Sequence, residues 1–162
     1  MANKPIRHQS KPQSKNESTT DIVTSIVAKI EQLKPGLQAY SIRELVTDAS
    51  NFGPYLRNQR LETNQIRKFL DAINRVKANL IDEEVTTEGE RKVIQKQFSD
   101  IEDDIVLLKP KLAYAAARQR AAEPLSKVIS AAIDKVHSFE DFTRLVQFIE
   151  STIAYHKAAG GK

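Results

Sequence analysis

Thr63-Asn64-Gln65-Ile66-Arg67-Lys68-Phe69-Leu70-Asp71-Ala72-Ile73-Asn74-Arg75-Val76-Lys77-Ala78-Asn79-Leu80 decides the fold class. Ile66, Phe69, Leu70, Ile73, Val76 and Leu80 recur at intervals of three and four, which places them on one stripe of an α-helix. At about 100° per residue, Arg67, Lys68 and Arg75 fall on the opposite face. Thr63 is the expected N-cap and the helix is expected to reach about Ile81. Such a helix must lay its apolar stripe on other helices, because nothing in its neighbourhood alternates as a strand does.

The flanking sequence extends the same reading. Upstream, a helix over Asp21–Leu33 carries Ile22, Ile26, Val27 and Ile30 on one face and stops at Pro35-Gly36. A second begins at Ser41, where Ser41 and Glu44 form a capping-box pair, and ends before Gly53-Pro54. Tyr55–Glu62 reads as a basic connector. Downstream, Glu88–Leu108 is expected to be a helix with Ile94, Phe98, Ile101, Ile105 and Leu108 as a coiled-coil-like seam. Asp100, Glu102, Asp103 and Asp104 surround that seam. A fifth helix opens at Pro110, and a sixth follows Pro124 and runs to about Val136. Ser138 and Asp141 cap a last one, with Phe142, Leu145, Val146, Ile149 and Ile153 inward. Ala158 to Lys162 reads as a frayed end. Residues 1–20 have no apolar period and read as a disordered basic tail, leaving 21–159 as one domain. The expectation is an all-α protein, a compact helical bundle of about six or seven helices without strands.

Composition narrows the function. With 40% hydrophobic residues, 5 glycines and 6 prolines, the chain suits helices joined by short turns. It has no cysteine, which removes disulfides, thiolate metal sites and a cysteine nucleophile. No apolar run reaches the roughly 18 residues that span a bilayer, and the basic N-terminus has no apolar leader stretch. A cytoplasmic protein without a membrane partner is therefore expected. His137-x-x-Glu140 is not a metal motif, the aspartates over 100–104 do not fit an EF-hand, and no glycine-rich phosphate loop exists. No enzyme activity, metal or cofactor is expected.

Charge is segregated. Residues 1–20 hold four cations and one anion of a net charge of +4, so the high isoelectric point partly reports the tail. Residues 55–79 hold six cations against two anions, residues 82–104 nine anions against three cations, and residues 109–135 six cations against two anions. Two basic segments thus bracket an acidic one. They form either a polyanion site with a separate face for a basic partner, or internal pairs between neighbouring helices. Within the second basic segment, Leu108-Lys109-Pro110-Lys111-Leu112-Ala113-Tyr114-Ala115-Ala116-Ala117-Arg118 stands out. Lys111, Tyr114 and Arg118 share one helical face, beside a helix start whose free N–H groups suit an anion. A cation, a flat ring and a guanidinium on one face could hold a phosphate and stack a base.

Three blocks resemble a known family: Thr63-Asn64-Gln65-Ile66-Arg67-Lys68-Phe69, the Leu108–Arg118 stretch, and Phe139-Glu140-Asp141-Phe142 on to Ala154-Tyr155-His156-Lys157. Over residues 60–159 they are similar to the small helical subunit of the type III-A CRISPR–Cas effector, the Csm complex. Ala117 stands where the family's second block has a glycine. The resemblance implies a non-catalytic subunit, stacked head to tail with copies of itself and bound to other Csm subunits. It implies contact with crRNA and target RNA in antiviral defence, with base pairing reading sequence and protein holding backbone. Arg67, Lys68, Lys109, Lys111 and Arg118 are the first RNA-binding candidates, with Arg57, Arg60, Arg120 and Tyr114 beside them. The other readings are a helical protein-interaction adaptor without direct RNA binding and, more weakly, a sequence-specific DNA binder.

Overall fold

The computed structural model describes residues 17–85 and 91–162, with the backbone alone for 17–21, 81–85 and 91–95. The expected tail up to residue 16 lies outside the described residues. Seven α-helices and one small hairpin follow in chain order: α1 (Glu17–Glu31), α2 (Ile42–Asn58), α3 (Thr63–Ala78), β1 (Ile81–Val85), β2 (Arg91–Gln95), α4 (Ser99–Val106), α5 (Leu108–Arg118), α6 (Glu123–Ile133) and α7 (Phe139–Ala158). The protein is an all-α bundle carrying a two-stranded insert.

The core is built on α2 and α7. Phe52 of α2 and Phe148 of α7 stack with ring centroids 6.3 Å apart, and Tyr40 tilts against Phe148 at 5.8 Å. Gly53 is what lets these helices touch. A Cβ there would stand 2.6 Å from the His156 backbone nitrogen and 2.8 Å from the Thr152 carbonyl oxygen. This packing carries α2 straight through Gly53-Pro54, where the sequence suggests an end, because burying Leu56 outweighs the one helical hydrogen bond that proline removes. The helix then closes on a Schellman motif. Arg60 N–H donates to the Arg57 carbonyl at 2.9 Å and Leu61 N–H to the Leu56 carbonyl at 3.1 Å. Arg60 takes the left-handed position of that motif, with φ of 64°. Tyr55–Asn58 is therefore helix rather than connector.

Most buried polar groups in this half are tied, although Arg144 Nε and Gln147 Oε1 of α7 are buried without a partner. The Asp141 carboxylate accepts from Gln38 N–H at 2.7 Å and His137 N–H at 2.9 Å, and Ser138 Oγ accepts from Asp141 N–H as the expected cap. Asp48 accepts from Lys29 Nζ at 2.8 Å and from the Tyr40 hydroxyl at 2.5 Å. Burial first, and then the Asp48 hydrogen bond and charge, push the Tyr40 hydroxyl far above the ordinary tyrosine range. His156 is fully buried. Its Nε2 lies 2.6 Å from the Leu61 carbonyl, which can only accept, so Nε2 carries a proton, and Nδ1 lies 3.3 Å from Thr63 Oγ1. Thr63 is thus the first residue of α3 rather than its cap, since Glu62 holds that place.

Two further expectations fail. Of the helix expected over Glu88–Leu108, residues 88–90 lie outside the described residues, and the stretch from Arg91 to Leu107 is helical only as α4. Arg91–Gln95 pairs antiparallel with Ile81–Val85, in a register that sets Ile81 opposite Gln95 and Glu83 opposite Val93. Ile94 therefore leaves the seam, while Ile101, Ile105 and Leu108 keep it and are buried. Phe98, just ahead of α4, meets Phe139 edge-on at 5.8 Å. The C-terminus is not frayed. Thr63 N–H donates to the Lys162 carbonyl at 2.6 Å, and Gly161 N–H donates to the His156 carbonyl at 3.0 Å. Gly161 lies so close to the imidazole that a Cβ would stand 2.2 Å from it.

Candidate nucleic-acid interface

α3 and α5 come from the two separate basic segments, and their polar faces meet along one cleft. Both helices anchor through apolar stripes, α3 by Ile66, Ile73 and Val76 and α5 by Leu108 and Leu112. Those stripes leave Lys68 of α3 and Lys111, Tyr114 and Arg118 of α5 on the cleft. Phe69, Ala72 and Ala115 supply apolar lining, and Gln65 and Gln119 supply amides. The cleft measures about 630 Å³, and among the described residues no carboxylate lines it. Lys68 and Lys111 make no ion pair with any described residue, so their charge faces solvent uncompensated. Tyr114 is 64% exposed, the largest exposure of any large apolar or aromatic side chain described. The Arg118 guanidinium lies over its ring, 5.7 Å from the centroid, and Nη1 donates to the Tyr114 hydroxyl at 3.2 Å.

The remaining candidates separate. Arg57 and Arg60 line a second cleft of about 390 Å³, together with Lys162 and Glu62. Arg67 and Arg120 are exposed but line neither cleft. Lys109 turns away to α6, where its ammonium meets the Asp134 carboxylate at 2.5 Å. The basic segments do partly neutralise themselves, at Lys109–Asp134 and at Lys127–Glu123, where the hydrogen bond from Lys127 pulls the Glu123 carboxyl below its usual range. The free helix start expected at Pro110 is not there. Leu107 is helical (φ −66°, ψ −9°) and its N–H already donates to Asp103, so α4 runs into α5 with hardly a break. Pro110 is the third residue of α5, not the first.

Sequence reasoning missed Gln65, Phe69 and Ala72 as cleft residues. Their signal was present, since 65, 68, 69 and 72 share one helical face. Phe69 was absorbed into the core stripe because its residue type does not say which edge of the stripe it forms.

The family described as Csm2 Type III-A matches residues 39–162. This chain belongs to that family. It is a small subunit of the type III-A CRISPR–Cas Csm complex, in a structural rather than a known catalytic family, and it associates with other subunits of that complex. The match takes in α2 through α7, hence both clefts, and leaves out α1. No curated protein and no solved structure matched this Csm2 chain. Among the described residues of this Csm2 subunit, no helix is long and apolar enough to cross a membrane. No group of three or more His, Asp or Glu side chains there stands ready to hold a metal ion.

Proposed function

We propose that this Csm2 subunit holds the backbone of crRNA and target RNA on its α3–α5 face, as one of several copies stacked head to tail. The observation that carries the reading is the convergence of Lys68, Lys111 and Arg118, from segments far apart in sequence, on one cleft that no carboxylate of the described residues lines. Cations left unpaired at a surface suit phosphates, and each phosphate contact releases condensed counterions. Lysines and a guanidinium set this way fix position and carry no base code, which leaves sequence reading to the guide. Arg67 and Arg120 extend the basic surface, and Arg57 and Arg60 offer a second point along the strand. Lys109 contributes less, because Asp134 already meets it.

The acidic helix α4 supports the stacking part of the reading. Glu102, Asp103 and Asp104 are exposed next to Val106 and Leu107, which are 51% and 58% exposed. An apolar pair rimmed by carboxylates repels RNA and suits a protein surface. The test is salt-titrated binding of the full chain to single-stranded RNA. Affinity should fall steeply as salt rises, and Lys68→Ala and Lys111→Ala should each flatten the log–log slope by about 0.7. Binding insensitive to salt and to both variants would favour the adaptor reading.

A further inference from the structure

We infer that the α3–α5 cleft takes a single unpaired nucleotide, stacking its base on Tyr114 and fixing its phosphate with Lys68 and Lys111. This rests on the RNA-backbone reading above and adds a base contact that reading does not contain. Three observations carry it. First, a surface that only tracks a phosphate chain needs cations and no concavity, yet here the cations rim a cleft of about 630 Å³. Small-molecule sites run to about 300–1,000 Å³. Second, Phe69 and Tyr114 bring aromatic rings to the lining, and Ala72 and Ala115 leave room beside them. Third, Tyr114 is held rather than loose. The guanidinium of Arg118 stands 5.7 Å from the ring centroid and bonds the hydroxyl, while 64% of the residue stays exposed.

A ring fixed in this way loses little freedom when a base stacks on it, and every base has a π face to offer. The amides of Gln65 and Gln119 stand at the same cleft with donors and acceptors for a base edge. Bases inside a duplex are stacked on one another and cannot enter. The ligand is therefore a single strand, or a nucleotide turned out of a paired one.

The experiment compares three RNA probes on the full-length chain: a single strand bearing 2-aminopurine, the same strand with abasic sites, equal to the first in length and charge, and a duplex of half that length, which matches them in charge. Binding is read by competition and by 2-aminopurine fluorescence. The normal strand should bind about five-fold or more tighter than the abasic one, with the fluorescence quenched. Tyr114→Ala should erase both the preference and the quenching, whereas Tyr114→Phe should keep most of each. Circular dichroism of each variant should match the parent, since Tyr114 lies outside the core. Equal affinity for normal and abasic strands with a normal salt slope would overturn the base contact and leave the backbone reading standing. Failure of the folded parent chain to bind any probe would overturn both.

Discussion

The α2–α7 half and the α3–α5 cleft treat their polar side chains in opposite ways. In the first, Asp141, Asp48, His156 and Thr63 are all engaged, each by groups distant in sequence. In the second, Lys68 and Lys111 are exposed and meet no carboxylate among the described residues, and the Arg118 guanidinium meets the neutral Tyr114. A buried polar group left unpaired costs stability, so the first arrangement is what folding demands. Nothing in folding demands the second. Opposite charges stand nearby in α4 and α6, and Lys109 shows that such pairing is within reach. The contrast separates residues that hold the bundle from residues whose charge the described fold does not use.

Disturbing the tied half should give the largest effects. Asp141→Ala strands the Gln38 and His137 N–H groups and should cost about 3 kcal/mol, lowering the melting temperature by about 6–12 °C. Gly53→Val should be at least as damaging, because its side chain would meet the backbone of α7 with no room to yield. Differential scanning calorimetry reads both. Retention of the parent melting temperature by Asp141→Ala would show that the knot is ornamental.

Tyr40 provides a pH signature in the same half. Its hydroxyl is held protonated in the folded chain far above the unfolded value of about 10. The folded state therefore binds more protons above that pH, and stability present below pH 10 is lost as pH rises beyond it. Tyr40→Phe should flatten the alkaline limb of the stability profile, as followed by denaturant melts between pH 8 and pH 11.

Arg60 sits between the two regimes. It holds a left-handed position that glycine takes more easily, so Arg60→Gly should stabilise by about 0.5–1 kcal/mol. If the second cleft contacts RNA, the same change should weaken binding. A variant that melts higher and binds RNA as well as the parent would assign Arg60 to neither regime. The smallest effect is expected at Lys109. Lys109→Ala should alter stability by a few tenths of a kcal/mol and RNA affinity less than Lys111→Ala does.

The elements legible in the sequence were those whose apolar stripe repeats long enough to exclude a strand. α3 and α7 satisfy that, and the Ser138 cap marks the start of α7 to the residue. The hairpin was not legible because Ile94 fits a helical spacing when counted back from Phe98, while the β-branched Val93 and Ile94 equally favour a strand. Five residues cannot decide between the two periods. The passage of α2 through Pro54 and the docking of Gly161 on His156 depend on a close partner from elsewhere in the chain, which no local window contains. The cleft was half legible. Its cations were named from charge and helical face, but their meeting required knowing that α3 lies beside α5.

Binding of single-stranded RNA by Lys68→Ala/Lys111→Ala/Arg118→Ala, titrated with salt beside the parent chain, puts the central claim to its most direct test. The triple variant should keep its helicity and melting temperature, since these side chains are exposed and support little of the fold. It should lose roughly two units of log–log salt slope, about 0.7 for each phosphate contact removed. A folded triple variant with the parent affinity and slope would contradict the assignment of this cleft to RNA.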